Sequence, residues 1–172
     1  MQFLSQLPER RGAWALLFLS AVGLVLTALY MQYQMGLDPC VKCIYQRVAV
    51  MGIAAAALPA LFAPRLLVAR LLSYAAWLTA AIWGLRIAHD HVVTQQSANA
   101  YFAVCDAFPV FPDWLPLLDW FPSLFEAPGL CGDISWVFLD MSMPEWMRII
   151  FAIYTGLALV VIALRLIGAR KL

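Results

Sequence analysis

The chain has 172 residues, 65% of them hydrophobic and only 12% charged, with a formal net charge of +1 at pH 7. Soluble domains average about 25% charged residues, so the deficit points to a single membrane domain. A charge balance this close to neutral excludes nucleic acid as a partner.

A hydrocarbon core takes about 20 apolar residues per helix. The first such run, Ala13 to Tyr30, follows Arg10 and Arg11 and lies in a stretch free of charge from Gly12 to Leu37. It is long for the apolar part of a signal peptide and lacks a small-residue cleavage site, so it reads as a retained anchor. A short loop over 32–42 follows, and in it begins the knuckle Cys40-Val41-Lys42-Cys43. The second run, Val48 to Ala63, is entered through Tyr45, Gln46 and Arg47 and left before Arg65. The third, Leu71 to Leu85, is bracketed by Arg70 and Arg86, with His89 and His91 just beyond.

Residues 88–146 then form a long loop without a single Lys or Arg. Pro109, Pro112, Pro116, Pro122 and Pro128 break regular structure repeatedly. The stretch around Trp114, Leu117, Leu118, Trp120 and Phe121 is nevertheless apolar enough for one short helix lying in the headgroup region. The same loop carries Cys105 and Cys131. The fourth run, Ile149 to Leu164, is bracketed by Arg148 and Arg165. With flanking arginines snorkelling to the interface, the spans cover about 13–31, 43–63, 68–87 and 147–165. The expected fold is all-α, a four-transmembrane-helix bundle with one long loop.

Four spans put both termini on one side. That side holds Arg10, Arg11, Arg65, Arg70, Arg165, Arg170 and Lys171, against Lys42, Arg47, Arg86 and Arg148 on the other. The positive-inside rule therefore assigns both termini to the cytoplasm and all four cysteines to the outer face. In a bacterium that face is the oxidising compartment, where disulfides persist.

Four cysteines admit several chemistries. Structural zinc sites pair two close knuckles, and only one exists here, so no metal is expected. Ile44 rather than His follows the knuckle, which disfavours covalent haem. A membrane scaffold with two structural disulfides is the serious alternative, and three connectivities are open. A bridge across Cys-x-x-Cys, however, closes so small a loop that it adds little stability, and such pairs are more often redox-active.

Pro39 suits the first turn of a helix. If the second span starts there, Cys40, Cys43 and Arg47 share one face. Arg47 and the helix N-terminus then favour the reactive thiolate, while the plainer role for Arg47 is a snorkelling anchor. A thiolate beside a fixed cation at the lipid edge suits a flat lipid-borne electron acceptor such as a quinone. No dinucleotide or P-loop motif competes. His89 or His91 could hydrogen-bond a quinone oxygen.

Arg-Gly-Ala-Trp at Arg11–Trp14, Pro-Cys-x-x-Cys-Ile-Tyr-x-Arg at Pro39–Arg47, Phe-Ala-x-Cys-Asp at Phe102–Asp106, Trp-Leu-Pro-Leu at Trp114–Leu117 and Pro-x-Trp at Pro144–Trp146 together carry a resemblance. Over essentially its whole length the chain resembles the disulfide bond formation protein B family, DsbB. The resemblance implies a bacterial inner-membrane oxidoreductase that reoxidises a periplasmic thioredoxin-like oxidase of the DsbA type. It implies Cys105, Cys131, Cys40 and Cys43 as the redox centres, with a Cys105–Cys131 disulfide attacked by the partner at Cys105. Cys131 would next exchange with Cys40, leaving Cys43 to meet ubiquinone or menaquinone beside Arg47. It also implies a quinone-proximal histidine, which falls on His91.

Overall fold

A computed structural model describes residues 11–97 and 108–169. Cys105 and its motif lie outside the described residues, as do Arg10, Arg170 and Lys171.

Four long helices dominate: α1 (Arg11–Gln34), α2 (Val41–Phe62), α3 (Leu67–Gln96) and α6 (Met143–Ala169). Between α3 and α6 lie two one-turn helices, α4 (Leu117–Trp120) and α5 (Pro122–Phe125), and a minimal hairpin of β1 (Val137–Phe138) and β2 (Met141–Ser142). All four long helices are long and apolar enough to cross a membrane, and the protein is a four-helix membrane bundle. The helices pack in sequence order, α1 on α2, α2 on α3 and α3 on α6. A hydrogen bond of 2.9 Å between Ser20 Oγ and Tyr154 Oη ties α1 to α6.

Burial separates α2 from the rest. Just over half (56%) of its most apolar stretch is buried inside the protein, against 17–28% for the others, so α2 is the central helix. Its composition explains this. Ala49, Ala54, Ala56, Ala57 and Ala60 let neighbouring backbones approach, and Ile53 fills the remaining space. Small residues do the same elsewhere. A Cβ on Gly84 would lie 2.3 Å from the ring of Phe151, so the crossing of α3 with α6 depends on that glycine. Pro59 inside α2 disturbs the helical ladder. The adjacent Ala60 N–H donates to Ser73 Oγ on α3 at 3.1 Å, which satisfies it within the core.

Three expectations need correction. The helix of the third span does not stop near 87 but runs to Gln96, about two and a half turns further. The loop therefore starts later than expected, and both histidines are helical. The single short helix of the loop is two turns of helix, Leu117–Trp120 and Pro122–Phe125. Pro122, which has no N–H to continue the first turn, opens the second. Pro39 stands outside α2, with Cys40 as the N-cap and Val41 as the first helical residue. Around Leu139 and Asp140 the hairpin turn holds both residues in the left-handed region, φ 52° and 58°. Two such residues in succession are what a two-residue turn needs to match the strand twist.

Candidate active site

The site is built on the first turns of α2. Cys40 has the extended backbone of an N-cap residue, φ −89° and ψ 171°. In place of the usual hydroxyl or carboxylate cap, its Sγ accepts the Cys43 N–H at 3.3 Å. That geometry turns both sulfurs to one side, 2.9 Å apart as free thiols. The hydrogen bond of Cys40 to Cys43, and then burial, raise the Cys40 pKa above a thiol's ordinary value, and the nearby His91 only partly offsets this.

His91 reaches the dithiol from the extension of α3 and is buried. Its Nε2 lies 3.1 Å from the Cys131 carbonyl oxygen and 3.5 Å from Cys40 Sγ. Its Nδ1 lies 3.2 Å from Gln46 Nε2. A carbonyl can only accept, so Nε2 carries the proton and Nδ1 accepts from the Gln46 amide. The tautomer is assigned by these two partners. His89, two residues earlier, is exposed. The structure thus brings His91, and not His89, to the cysteines.

Arg47 is buried rather than snorkelling. Its Nη1 donates to the Leu124 carbonyl at 2.5 Å and its Nη2 to Gln32 Oε1 at 2.9 Å. Gln32 Nε2 and the Tyr33 hydroxyl both donate to the neighbouring Ser123 carbonyl. One arginine therefore joins the dithiol helix, the end of α1 and the α5 turn of the loop.

Cys131 is buried and disulfide-bonded. Its sulfur, Cys40 Sγ and a His91 ring nitrogen all lie within 4.8 Å of one another. The cluster has the residue types of a soft-metal site, but a sulfur held in a disulfide is not a thiolate ligand. The segment is fixed from several sides. Gly129 N–H donates to the Pro39 carbonyl at 3.1 Å, and Gln95 Nε2 to the Asp133 carbonyl at 3.0 Å. The Tyr45 hydroxyl accepts the Val110 N–H at 2.9 Å.

A cavity of about 400 Å³ borders the dithiol, lined by α1, α2, the end of α3, the 128–136 segment and the start of α6. Leu24, Val25, Ala28 and Met147 are among its apolar lining, and Cys40, Cys43, Arg47 and His91 are among its polar lining. The volume falls in the range of small-molecule sites, about 300–1,000 Å³, and apolar walls with a few convergent polar groups are their usual build. The buried Arg47 Nε–H has no hydrogen-bond partner among the described residues. An acceptor such as a quinone carbonyl fits that donor, and a flat ring fits the walls.

Gln32, Gln95 and Gly129 had no motif to mark them. The sequence signal available was weak: Gln32 and Gln95 are polar residues in the last turns of two helices, and Gly129 follows a proline.

Known proteins similar to this chain share one family description. The family model described as disulfide bond formation protein DsbB matches residues 10–161. Disulfide bond formation protein B of Pseudoalteromonas atlantica is 52% identical over 172 residues, covering 100% of both chains. That of Idiomarina loihiensis is 50% identical over 152 residues, 88% of this chain and 84% of the relative. That of Pseudoalteromonas translucida is 42% identical over 173 residues, covering 100% of both.

Proposed function

This chain belongs to the disulfide bond formation protein B family, and from that premise we propose that it is a quinone-dependent thiol oxidase serving a periplasmic thioredoxin-like dithiol protein of the DsbA type. It sits in the bacterial inner membrane with both termini in the cytoplasm and its cysteines in the periplasm. The basic residues support this orientation, being concentrated toward the termini and the α2–α3 turn.

The reaction runs in two exchanges. The partner's thiolate attacks Cys105 of a Cys105–Cys131 disulfide, and Cys131 leaves as a thiolate. Cys131 then attacks Cys40 of an oxidised Cys40–Cys43 pair. The Cys131–Cys40 bond forms, the Cys40–Cys43 bond breaks, and Cys43 leaves as a thiolate. The partner's second thiolate resolves its mixed disulfide with Cys105, and Cys105 resolves Cys131–Cys40, so the partner ends oxidised and Cys40/Cys43 reduced. A bound ubiquinone or menaquinone supplies the two-electron sink that restores the Cys40–Cys43 disulfide. Arg47 holds fixed positive charge next to Cys43, and its unused Nε–H offers a donor to the acceptor's oxygen. His91 donates Nε2–H at Cys40, where a leaving thiolate needs stabilising.

One observation carries the reading. Cys40, His91 and Cys131 converge within 4.8 Å, and Cys40 and His91 line one cavity together with Cys43 and Arg47. The test is turnover. The purified protein with a quinone should oxidise a reduced thioredoxin-like partner catalytically. Full turnover in Cys43→Ser would refute the path.

A further inference from the structure

We infer that Gly129 is a positioning residue for the exchange between Cys131 and Cys40, because it lets the loop backbone that carries Cys131 lie directly on the backbone that carries Cys40. The inference rests on the proposed electron path and concerns one step of it.

Gly129 N–H donates to the Pro39 carbonyl at 3.1 Å. A Cβ at this position would lie 2.4 Å from Asp38 O, 3.1 Å from Asp38 C and 3.2 Å from Pro39 C. Each of these is a backbone atom. A flexible side chain could rotate away, whereas this wall is held by the Pro39 ring and by the Cys40 cap. Gly129 is not in the left-handed region, so what requires glycine is close approach and not conformation.

Two residues further on, the Cys131 carbonyl accepts from His91 Nε2 at 3.1 Å. The chain from 129 to 131 is thus gripped at both ends, by Pro39 and by His91, with the Cys131 sulfur within 4.8 Å of Cys40 Sγ. Reacting atoms need to approach to about 3–3.5 Å, and a misplacement of about 1 Å can cost about a hundredfold. Any side chain at 129 lifts the segment by a distance of that order. Gly129, Pro39 and His91 together form a seat for Cys131.

The test uses the full chain in lipid with no quinone and no partner. In a Cys43→Ser, Cys105→Ser background only Cys40 and Cys131 remain. Their effective concentration is read by equilibrating the protein with a glutathione redox buffer and counting the disulfide fraction after alkylation. With Gly129 the pair should form readily. With Gly129→Ala its effective concentration should fall by about tenfold to a hundredfold. Leu130→Ala, at an outward side chain that is 70% exposed, should leave it within twofold. Gly129 lies outside the four spanning helices, so helicity and the thermal midpoint should hold. Should they fall, His91→Ala tests the same seat by removing its other grip, and a drop in pairing is expected there too. An unchanged effective concentration in Gly129→Ala, or an equal fall in Leu130→Ala, would overturn the inference. Failure of quinone-linked turnover in the native protein would sink the electron path instead, and would leave the pairing result standing.

Discussion

Cys40 and Cys43 stand on the first turn of the most enclosed helix, one sulfur capping the other's N–H, with Arg47 a turn below. Cys131 stands in a segment without regular structure, held by a glycine N–H, a histidine and a glutamine that all bond to or from backbone atoms. The first arrangement survives as long as the helix does. The second depends on a few separable hydrogen bonds, each worth about 1 kcal/mol. On the proposed path the loop disulfide would exchange with both a soluble partner and a fixed dithiol, and that second kind of mounting suits such a role.

The largest effect is expected at the fixed station. Cys43→Ser should lower quinone-linked turnover by at least about a thousandfold, as removal of an essential nucleophile does, while quinol formation measured by absorbance falls to background. At the loop station, Cys131→Ser should instead leave a covalent complex with the partner through Cys105 on a non-reducing gel. A protein that forms no adduct with its cognate oxidase would reverse the assigned order of transfer.

Arg47 belongs to both stations, so its loss should be felt at each. Arg47→Met removes a charged donor from the Leu124 carbonyl and from the cavity. It should raise the KM for quinone by about tenfold or more, a loss of about 1.4 kcal/mol or greater, and should speed proteolysis of the loop near α5. Arg47→Lys keeps the charge without the two-pronged donor, so it should restore the KM more than the loop protection.

The Cys40 thiol gives a smaller, pH-dependent effect. Its raised pKa means that the reactive thiolate appears only at a pH above the ordinary thiol range. Alkylation of reduced Cys40 should therefore keep rising with pH where an ordinary thiol, with a pKa of about 8.5, has levelled off. Because the hydrogen bond to Cys43 is the largest cause, Cys43→Ala should move the curve to lower pH. The smallest effect is expected at the loop's outer hold. Tyr45→Phe leaves the Val110 N–H without its acceptor, which should cost about 1 kcal/mol of loop docking and no more than a few-fold in turnover.

The same contrast explains what the sequence made legible. The four spans stand out because unbroken apolar runs flanked by arginines have few other uses. The knuckle above Arg47 is readable because neighbours on one helical turn follow from spacing alone. The reach of α3 to Gln96 was hidden, since His89, Asp90 and His91 look like the polar end of a span. Only the loop packed around His91 reveals that the helix continues and that His91 and Val92 are buried. Gln32 binds Arg47 across two helices, and nothing local in the sequence encodes that meeting. Gly129 reads as a turn residue after Pro128, and its role appears only when Asp38 and Pro39, far away in the chain, are found against it.

The central claim is that the two stations lie on one electron path ending in a quinone. Trapping the redox state of all four cysteines by acid quenching and alkylation, in membranes with and without quinone, tests it most directly. The account predicts that without quinone Cys40 and Cys43 accumulate as thiols once reduced partner is supplied, and that added quinone returns them to the disulfide. If all four cysteines stay oxidised in quinone-free membranes, they are structural staples and the path is contradicted.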